Sequence, residues 1–508
     1  MEIVLSLVLS GTMAFAGAVV SAAFLTSDMV NVGEAAESKF SFFRQEIVSG
    51  PVLEGATSRT ALTQRKLPVV RVSTAGDMAP EAIIESEVTL TLENVGNVKS
   101  AVQSNKKNKS NLASPVVIDG TLYMIDQDGG TIYTFDETMA DQSINEVFNV
   151  RSNAPDNLRF PRWYSILNIA DGPGTSVYVV FTSQNLPAGV NPYTSPEDDR
   201  YLLSKIHYQI VYKYDVNPFD DTDNDPDPVL LAAFEQVPGH RSGGLLTLPN
   251  GDLLFARGDN LGFNRDGLPY AQDDNFTVSK LLIIDQDTGA VTVAAKGVRN
   301  AQRLTYTNDT KSMIAFAEMG SDVADEINVV AVADLLDTSE VKNFGWGRIP
   351  GDDSDGDGSD GTAREGTFYI NAGHTELPET VPVAIGQAPL REIGFVQPYA
   401  EVRPDGVDLF ALSGPVYSET YFSEIDALFG DLVSGNLYAT LRSDTAAVKS
   451  VYSVNLKDQS GDPVDLLVKA TALGLDRVDV RFFNFADGQP GLLTEQTGEV
   501  YRLTETID

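Results

Sequence analysis

Cysteine is absent from this chain, and histidine occurs only as His207, His240 and His374. Without cysteine there can be no disulfide, thiolate nucleophile, Cys-based zinc site or iron–sulfur cluster. Three histidines argue equally against a histidine-rich metal centre. Basic residues are scarce: 36 Lys and Arg face 72 Asp and Glu, a formal net charge of −36. Such a surface repels phosphate backbones, so no nucleic-acid partner is expected. It suits a saline or calcium-rich exterior, where ions screen self-repulsion. Long segments of helical period are also few. What is present is bulk: 508 residues, 42% of them apolar, enough for a large core. At roughly 100–200 residues per domain this allows two to four domains, or one large repeat domain with appendages. Aromatics at 9% argue against global disorder.

The N-terminus carries one long apolar run, Ile3 to Leu25, 23 residues without a charge. That length can span a bilayer as a helix. A secretory signal normally opens with basic residues, yet here the flank is Met1-Glu2 and the first lysine is Lys39. A hydrophobic α-helix over 1–30 is therefore expected, retained in the mature protein. Membrane insertion, burial in a filament core and an atypical signal peptide are the three open readings. Small residues (Gly11, Ala14, Ala16, Gly17, Ala18) permit close helix–helix approach. In this the run loosely resembles type IV pilin-like and archaellin-like subunits, which implies self-assembly through the helix and an extracellular or cell-surface location.

Residues 31–100 read as a stalk with short strands. Val88–Asn97 (VTLTLENVGN) alternates apolar and polar, as a half-buried strand does, and a basic linker follows over Lys99–Leu112. From there to residue 508 short strands recur between Asp-Gly and Asn-Gly turns, as in DGTLYMIDQDGGTIYTFD, GGLLTLPNGDLLFARGD and GNLYATLR. Only Ala331–Glu340 and Glu424–Phe429 suggest short helices. Many even strands over about 400 residues predict an all-β domain over 101–508, a propeller or a solenoid. Spacings of roughly 50–70 residues favour a propeller of about six blades.

Three blocks are more specific. In HRSGGLLTLPNGDLLFARGD, His240, Gly243, Pro249, Gly251, Gly258 and Asp259 stand out. GVRNAQRLTY spans Gly297–Tyr306. AEMGSDVADEINVV and NFGWGR carry Asp325, Glu326, Ile327, Asn328, Asn343, Gly345 and Trp346. In order and spacing these blocks resemble the soluble quinone-dependent glucose/sorbosone dehydrogenase family over about residues 114–504. That resemblance implies a six-bladed β-propeller, pyrroloquinoline quinone (PQQ) and calcium as cofactors, and a sugar ligand.

The resemblance makes His240 the base, a role that suits imidazole near its ordinary pKa. Arg299 would bind the quinone oxygens, and Asn300 and Gln302 would line the same site. Gly320 matches a calcium-binding backbone position. Arg442 would face the cofactor where the family has Lys, and Arg477 would stand for the arginines of the last blade. Structural roles stay open: a histidine capping a strand end, a turn tied by side-chain hydrogen bonds. The sequence departs at Ala301, Met319 and Ser321, and Arg-Ser-Gly follows the histidine. A propeller that kept the fold and lost the chemistry is thus an alternative, acting as a surface or filament subunit.

Two acidic loops could hold a hard cation. Asp353, Asp355 and Asp357 alternate ahead of Gly358, with Glu365 downstream; Asp221, Asp223, Asp225 and Asp227 repeat the alternation, interrupted by Pro226. Alternate carboxylates around a sharp glycine turn suit calcium, although solvated acidic tips would read the same.

Overall fold

The structure is a computed structural model. It describes residues 83–84, 88–98, 112–113, 115–135, 144–150, 163–174, 176–193, 207–215, 228–236, 240–259, 271, 274–319, 325–346, 396, 398–402 and 412–506. Every described residue belongs to the compact unit Lys66–Asp508. The expected helix over 1–30, Gly320 and both acidic loops lie outside the described residues.

Six sheets follow one another along the chain. A first strand, β1 (Thr89–Asn97), precedes blade 1 in the chain. Blade 1 holds β2 (Val116–Ile118), β3 (Thr121–Ile125), β4 (Thr131–Phe135) and β5 (Ile144–Asn149). Blade 2 holds β6 (Trp163–Asp171), β7 (Ser176–Ser183), β8 (His207–Asp215) and β9 (Val229–Gln236). Blade 3 holds β10 (Ser242–Thr247), β11 (Leu253–Arg257), β12 (Lys280–Ile284) and β13 (Val291–Lys296). Blade 4 begins with β14 (Ala301–Tyr306), β15 (Met313–Glu318) and β16 (Asp325–Ala331). A short helix, α1 (Val332–Leu336), then precedes β17 (Lys342–Asn343), which pairs parallel to β13, and β18 (Ala400–Val402) completes blade 4. Blade 5 holds β19 (Leu412–Val416), β20 (Ile425–Asp431), β21 (Leu437–Leu441) and β22 (Tyr452–Ser453). Then come β23 (Asn455–Asp458), helix α2 (Leu466–Ala472), β24 (Val480–Asn484), β25 (Pro490–Thr494) and β26 (Glu499–Thr506).

The innermost strands β2, β6, β10, β14, β19 and β24 each touch the next, and β24 returns to β2. The sheets are therefore blades around one axis. Period-two alternation explains the packing. In β7, Val177, Val179 and Phe181 face blade 1, while Tyr178 and Val180 face blade 3. Each of the six blade-to-blade contacts has its own apolar core. Middle strands are accordingly buried on both faces, and β7, β11, β12 and β25 are buried throughout. Hairpins close as the sequence signals: Asp119 and Gly120 both take positive φ between β2 and β3, the form an Asp-Gly turn favours.

Three expectations are corrected. First, Thr89–Asn97 is a strand but not part of a stalk. It pairs antiparallel with β26, from Thr89↔Thr506 to Asn97↔Glu499, and parallel with β23. Blade 6 thus reads β23-β1-β26-β25-β24, and the propeller begins ahead of residue 101. Second, Glu424–Phe429 is not helical. Ile425, Ala427 and Phe429 are fully buried in β20, where sheet pairing overrides a weak local preference. Third, α2 is a helix that the sequence pattern does not announce; Asp465 caps it by accepting from the Val468 N–H at 2.9 Å.

Candidate functional site

The start of each innermost strand and the end of each second strand point to the same face of the ring. On that face His240 sits just before β10, Asp259 just after β11, and Arg299 and Asn300 just before β14. Blades 3 and 4 are adjacent, so residues far apart in sequence converge. Ser242 and Gly243 both take positive φ, and the chain bends sharply after His240. Gly258 allows the close approach: a Cβ there would lie 1.6 Å from the His240 carbonyl oxygen. The Asp259 N–H donates to the Arg299 carbonyl at 2.9 Å, tying the two loops together.

Side chains complete the network. His240 Nδ1 lies 2.7 Å from Asp259 Oδ1, and Arg299 Nη2 lies 2.8 Å from His240 Nε2. A guanidinium can only donate. His240 Nε2 must therefore accept, so the ring's proton is on Nδ1, where it donates to Asp259. The imidazole is held neutral in one tautomer, with its Nε2 lone pair facing Arg299. Asp259 is fixed in turn by Trp346, whose Nε1–H donates to Oδ2 at 3.0 Å, and the Arg299 guanidinium packs over the Trp346 ring, 5.2 Å from its centroid.

Behind this layer lies a buried acid. Glu318, 1% exposed at the end of β15, accepts from the Arg299 backbone N–H at 2.7 Å and from Asn328 Nδ2 at 3.2 Å. Burial pushes its carboxyl up, to about 8, and Asp259 and Asp325 push the same way. The Arg299 amide and guanidinium oppose the shift without cancelling it. Arg299 also donates through Nη1 to the Met319 carbonyl at 2.8 Å.

The other expected residues are placed as follows. Asn300 Oδ1 accepts from the Ser242 N–H at 3.0 Å, which ties β10 to β14. Gln302 crosses the channel: its Oε1 accepts from Arg481 Nη1 of blade 6 at 3.2 Å, and its carbonyl from Asn168 Nδ2 of blade 2 at 3.4 Å. Three alternate blades so meet in a polar plug beneath the His240 layer. Arg477 stands on the same rim before β24, paired with Asp479. Arg442 does not belong here. It follows β21, whose end lies on the opposite face, and its guanidinium donates to the carbonyls of Phe422 at 3.3 Å and Ser418 at 3.0 Å.

Sequence reasoning missed Arg481, which pairs with Glu495 at 2.7 Å, and it assigned no role to Asp259, Glu318 or Trp346. Asp259, Glu318 and Trp346 all lay inside the recognised blocks, Glu318 at the head of AEMGSDVADEINVV, but spacing alone gave them no role. Among the described residues, no three His, Asp or Glu side chains group closely enough to hold a metal ion.

No protein-family model matches the chain, and a search of curated proteins gives no match. Solved structures similar to it include a PQQ-bound aldose sugar dehydrogenase from Streptomyces coelicolor (18% identity, TM-score 0.48, covering 84% of this chain and 100% of that one). A glucose dehydrogenase gives 16% identity and a TM-score of 0.48 over 82% of this chain and 99% of that one. A streptogramin B lyase gives 11% and 0.34 over 82% and 98%. These likenesses say nothing about the chemistry of the site.

Proposed function

We propose that this face of the propeller oxidises a sugar or related polyol with a quinone as the hydride acceptor. The observation that carries the reading is the state of His240: neutral, oriented by Asp259, with the lone pair on Nε2. That is what a general base for a substrate hydroxyl requires. In the reaction, the hydroxyl proton passes to Nε2, and the Asp259 carboxylate stabilises the imidazolium that forms. Arg299 yields its place at Nε2 to the substrate oxygen while keeping its bond to the Met319 carbonyl.

The donor set suits a planar anionic cofactor. Arg299, Arg477 and Arg481 offer guanidinium forks, which match carboxylate and quinone oxygens, and Asn300 and Gln302 add amides. A bound quinone would supply the acceptor for the hydride leaving the substrate carbon. Calcium, expected at Gly320 and at the acidic loops, belongs to the same proposal.

The test is reconstitution of the full chain with PQQ and calcium, followed by dye-linked assay on a panel of aldoses. His240→Gln is expected to lower turnover by roughly 10²–10⁴-fold, the usual weight of a positioned base, with quinone binding retained. Arg299→Ala is expected to weaken quinone binding. If the unaltered protein neither binds the quinone nor reduces the dye, the reading falls.

A second proposal concerns residues 1–28. The 23-residue apolar run supports anchoring at the cell surface, in a membrane or in a filament of sister helices. Mass spectrometry of the native protein decides its premise, because a mature N-terminus beyond residue 25 would make the run a cleaved signal.

A further inference from the structure

The channel has a second opening, on the face away from His240. There the ends of the innermost strands enclose a cleft of about 390 Å³, to which all six blades contribute: Val117, Asn168, Leu245, Arg303, Tyr417 and Asn484 are representative lining residues. The Asn168–Gln302–Arg481 plug lies at its inner end, since Asn168 belongs to both. This volume is at the small end of ligand pockets, about 300–1,000 Å³, so its occupant is a small molecule.

Arg303 distinguishes the cleft. Among the described residues, its one polar contact is Nε to the Pro415 carbonyl at 3.4 Å. Arg303 is half-buried, and the fully buried arginines, by contrast, are closely partnered. Arg257 donates to Gln209 Oε1 at 3.1 Å and to the Glu235 carbonyl at 2.6 Å. Arg299, Arg477 and Arg481 have the partners given above. Desolvation in the cleft lowers the Arg303 pKa to about 10. A half-buried cation with one long hydrogen bond in a chain of net charge −36 is conspicuous, because a partly desolvated charge gains from an anionic partner. Asn484 Oδ1, in the same lining, is buried without a hydrogen-bond partner.

We propose that this cleft is a binding site for a small organic carboxylate, held by the Arg303 guanidinium. A guanidinium fork matches the two oxygens of a carboxylate. The walls are mixed: Val116, Val117, Leu245 and Leu246 are apolar, and Asn168 and Asn484 can serve hydroxyls on the ligand body. The remaining charges select a monoanion. Lys311 and Asp171 offset each other, while Asp309 and Glu419 add negative charge that a phosphate dianion would meet.

The experiment is calorimetric titration of the full chain with D-gluconate, L-lactate and inorganic phosphate. It needs neither cofactor nor turnover, so its outcome is separate from that of the sugar-oxidation reading. Saturable binding of at least one of the two carboxylates is expected. It should weaken at least tenfold in Arg303→Met, weaken less in Arg303→Lys, and persist in Arg299→Met. Arg303→Met removes a half-buried charge held by a single long hydrogen bond, so its melting temperature should hold or rise, and circular dichroism checks that it is folded. Absence of carboxylate binding, equal binding by folded Arg303→Met, loss in Arg299→Met alone, or tighter binding of phosphate would each overturn the proposal.

Discussion

Replacing Glu318 by Gln should make the protein more stable, and only at neutral to alkaline pH. The native carboxyl titrates at about 8, against an ordinary value of 4.5. Below about pH 4.5 it is protonated in folded and unfolded chains alike, and the two states do not differ. As the pH rises, the unfolded chain loses the proton first, so ionisation pulls toward unfolding. The penalty is complete only above about pH 8. Each pKa unit corresponds to about 1.4 kcal/mol, so the full shift amounts to roughly 5 kcal/mol. For a unit the size of Lys66–Asp508, with an unfolding entropy of about 2.1 cal/mol/K per residue, that is roughly 5 °C in Tm. The substituted glutamine would keep the bond from the Arg299 N–H through its own oxygen. Its amide would face Asn328, whose Oδ1 is buried without a partner and can turn to accept. Calorimetric melts of both proteins at pH 5, 7 and 9 give the answer. The curves should nearly coincide at pH 5 and separate progressively, with the variant above the native protein at pH 9. Parallel curves, or a variant that loses ground at alkaline pH, would show that the Glu318 carboxylate is better solvated or better paired than its burial implies.

Gly258→Ala should be severely destabilising, by several kcal/mol, since its Cβ would overlap the His240 carbonyl and backbone must move; chemical denaturation measures the loss, and a near-neutral result would mean the two loops are not as closely packed as described. Truncation should separate the two roles of the N-terminal region. Removing 1–28 should leave the melting of the propeller unchanged. Removing 1–98 strips β1 from blade 6, exposes the edges of β23 and β26, and forfeits buried Leu90 and Leu92, a loss of at least about 3–6 kcal/mol. Equal melting of the two truncations would refute the closure.

The repeating blades were legible because each strand obeys a two-residue period and each hairpin carries its own turn residues, as at Asp119-Gly120. The address of a strand is not so encoded. Thr89–Asn97 reads correctly as a strand, yet nothing in its alternation says that its partner lies at Glu499–Thr506. Arg442 was misplaced for a related reason: a strand's residues are easily recognised, but the end of the ring to which they lead depends on counting strands within the blade. At the candidate site, His240 in one recognised block and Arg299 and Asn300 in another were singled out by their spacing, and the fold brings the three together. Glu318 and Arg303 stood in recognised blocks without a role, because a charged residue at the end or middle of an apolar strand looks like any solvent-facing position until the rest of the ring surrounds it.

The Thr89↔Thr506 pairing also has a consequence for how the molecule is made. Blades 1 to 5 are each continuous or nearly so in sequence, and they can form in order as the chain emerges from the ribosome. Blade 6 cannot. Its β1 is among the first strands synthesised and must wait, unpaired, until β26 is released. Until then the nascent ring stays open, and the apolar surfaces of blades 1 and 6 face no neighbour. Contacts of such long sequence separation form slowly. The interval between the emergence of blade 5 and the docking of β26 is therefore the period of greatest exposure to aggregation, and during it a chain carrying a charge of −36 has self-repulsion as its main protection.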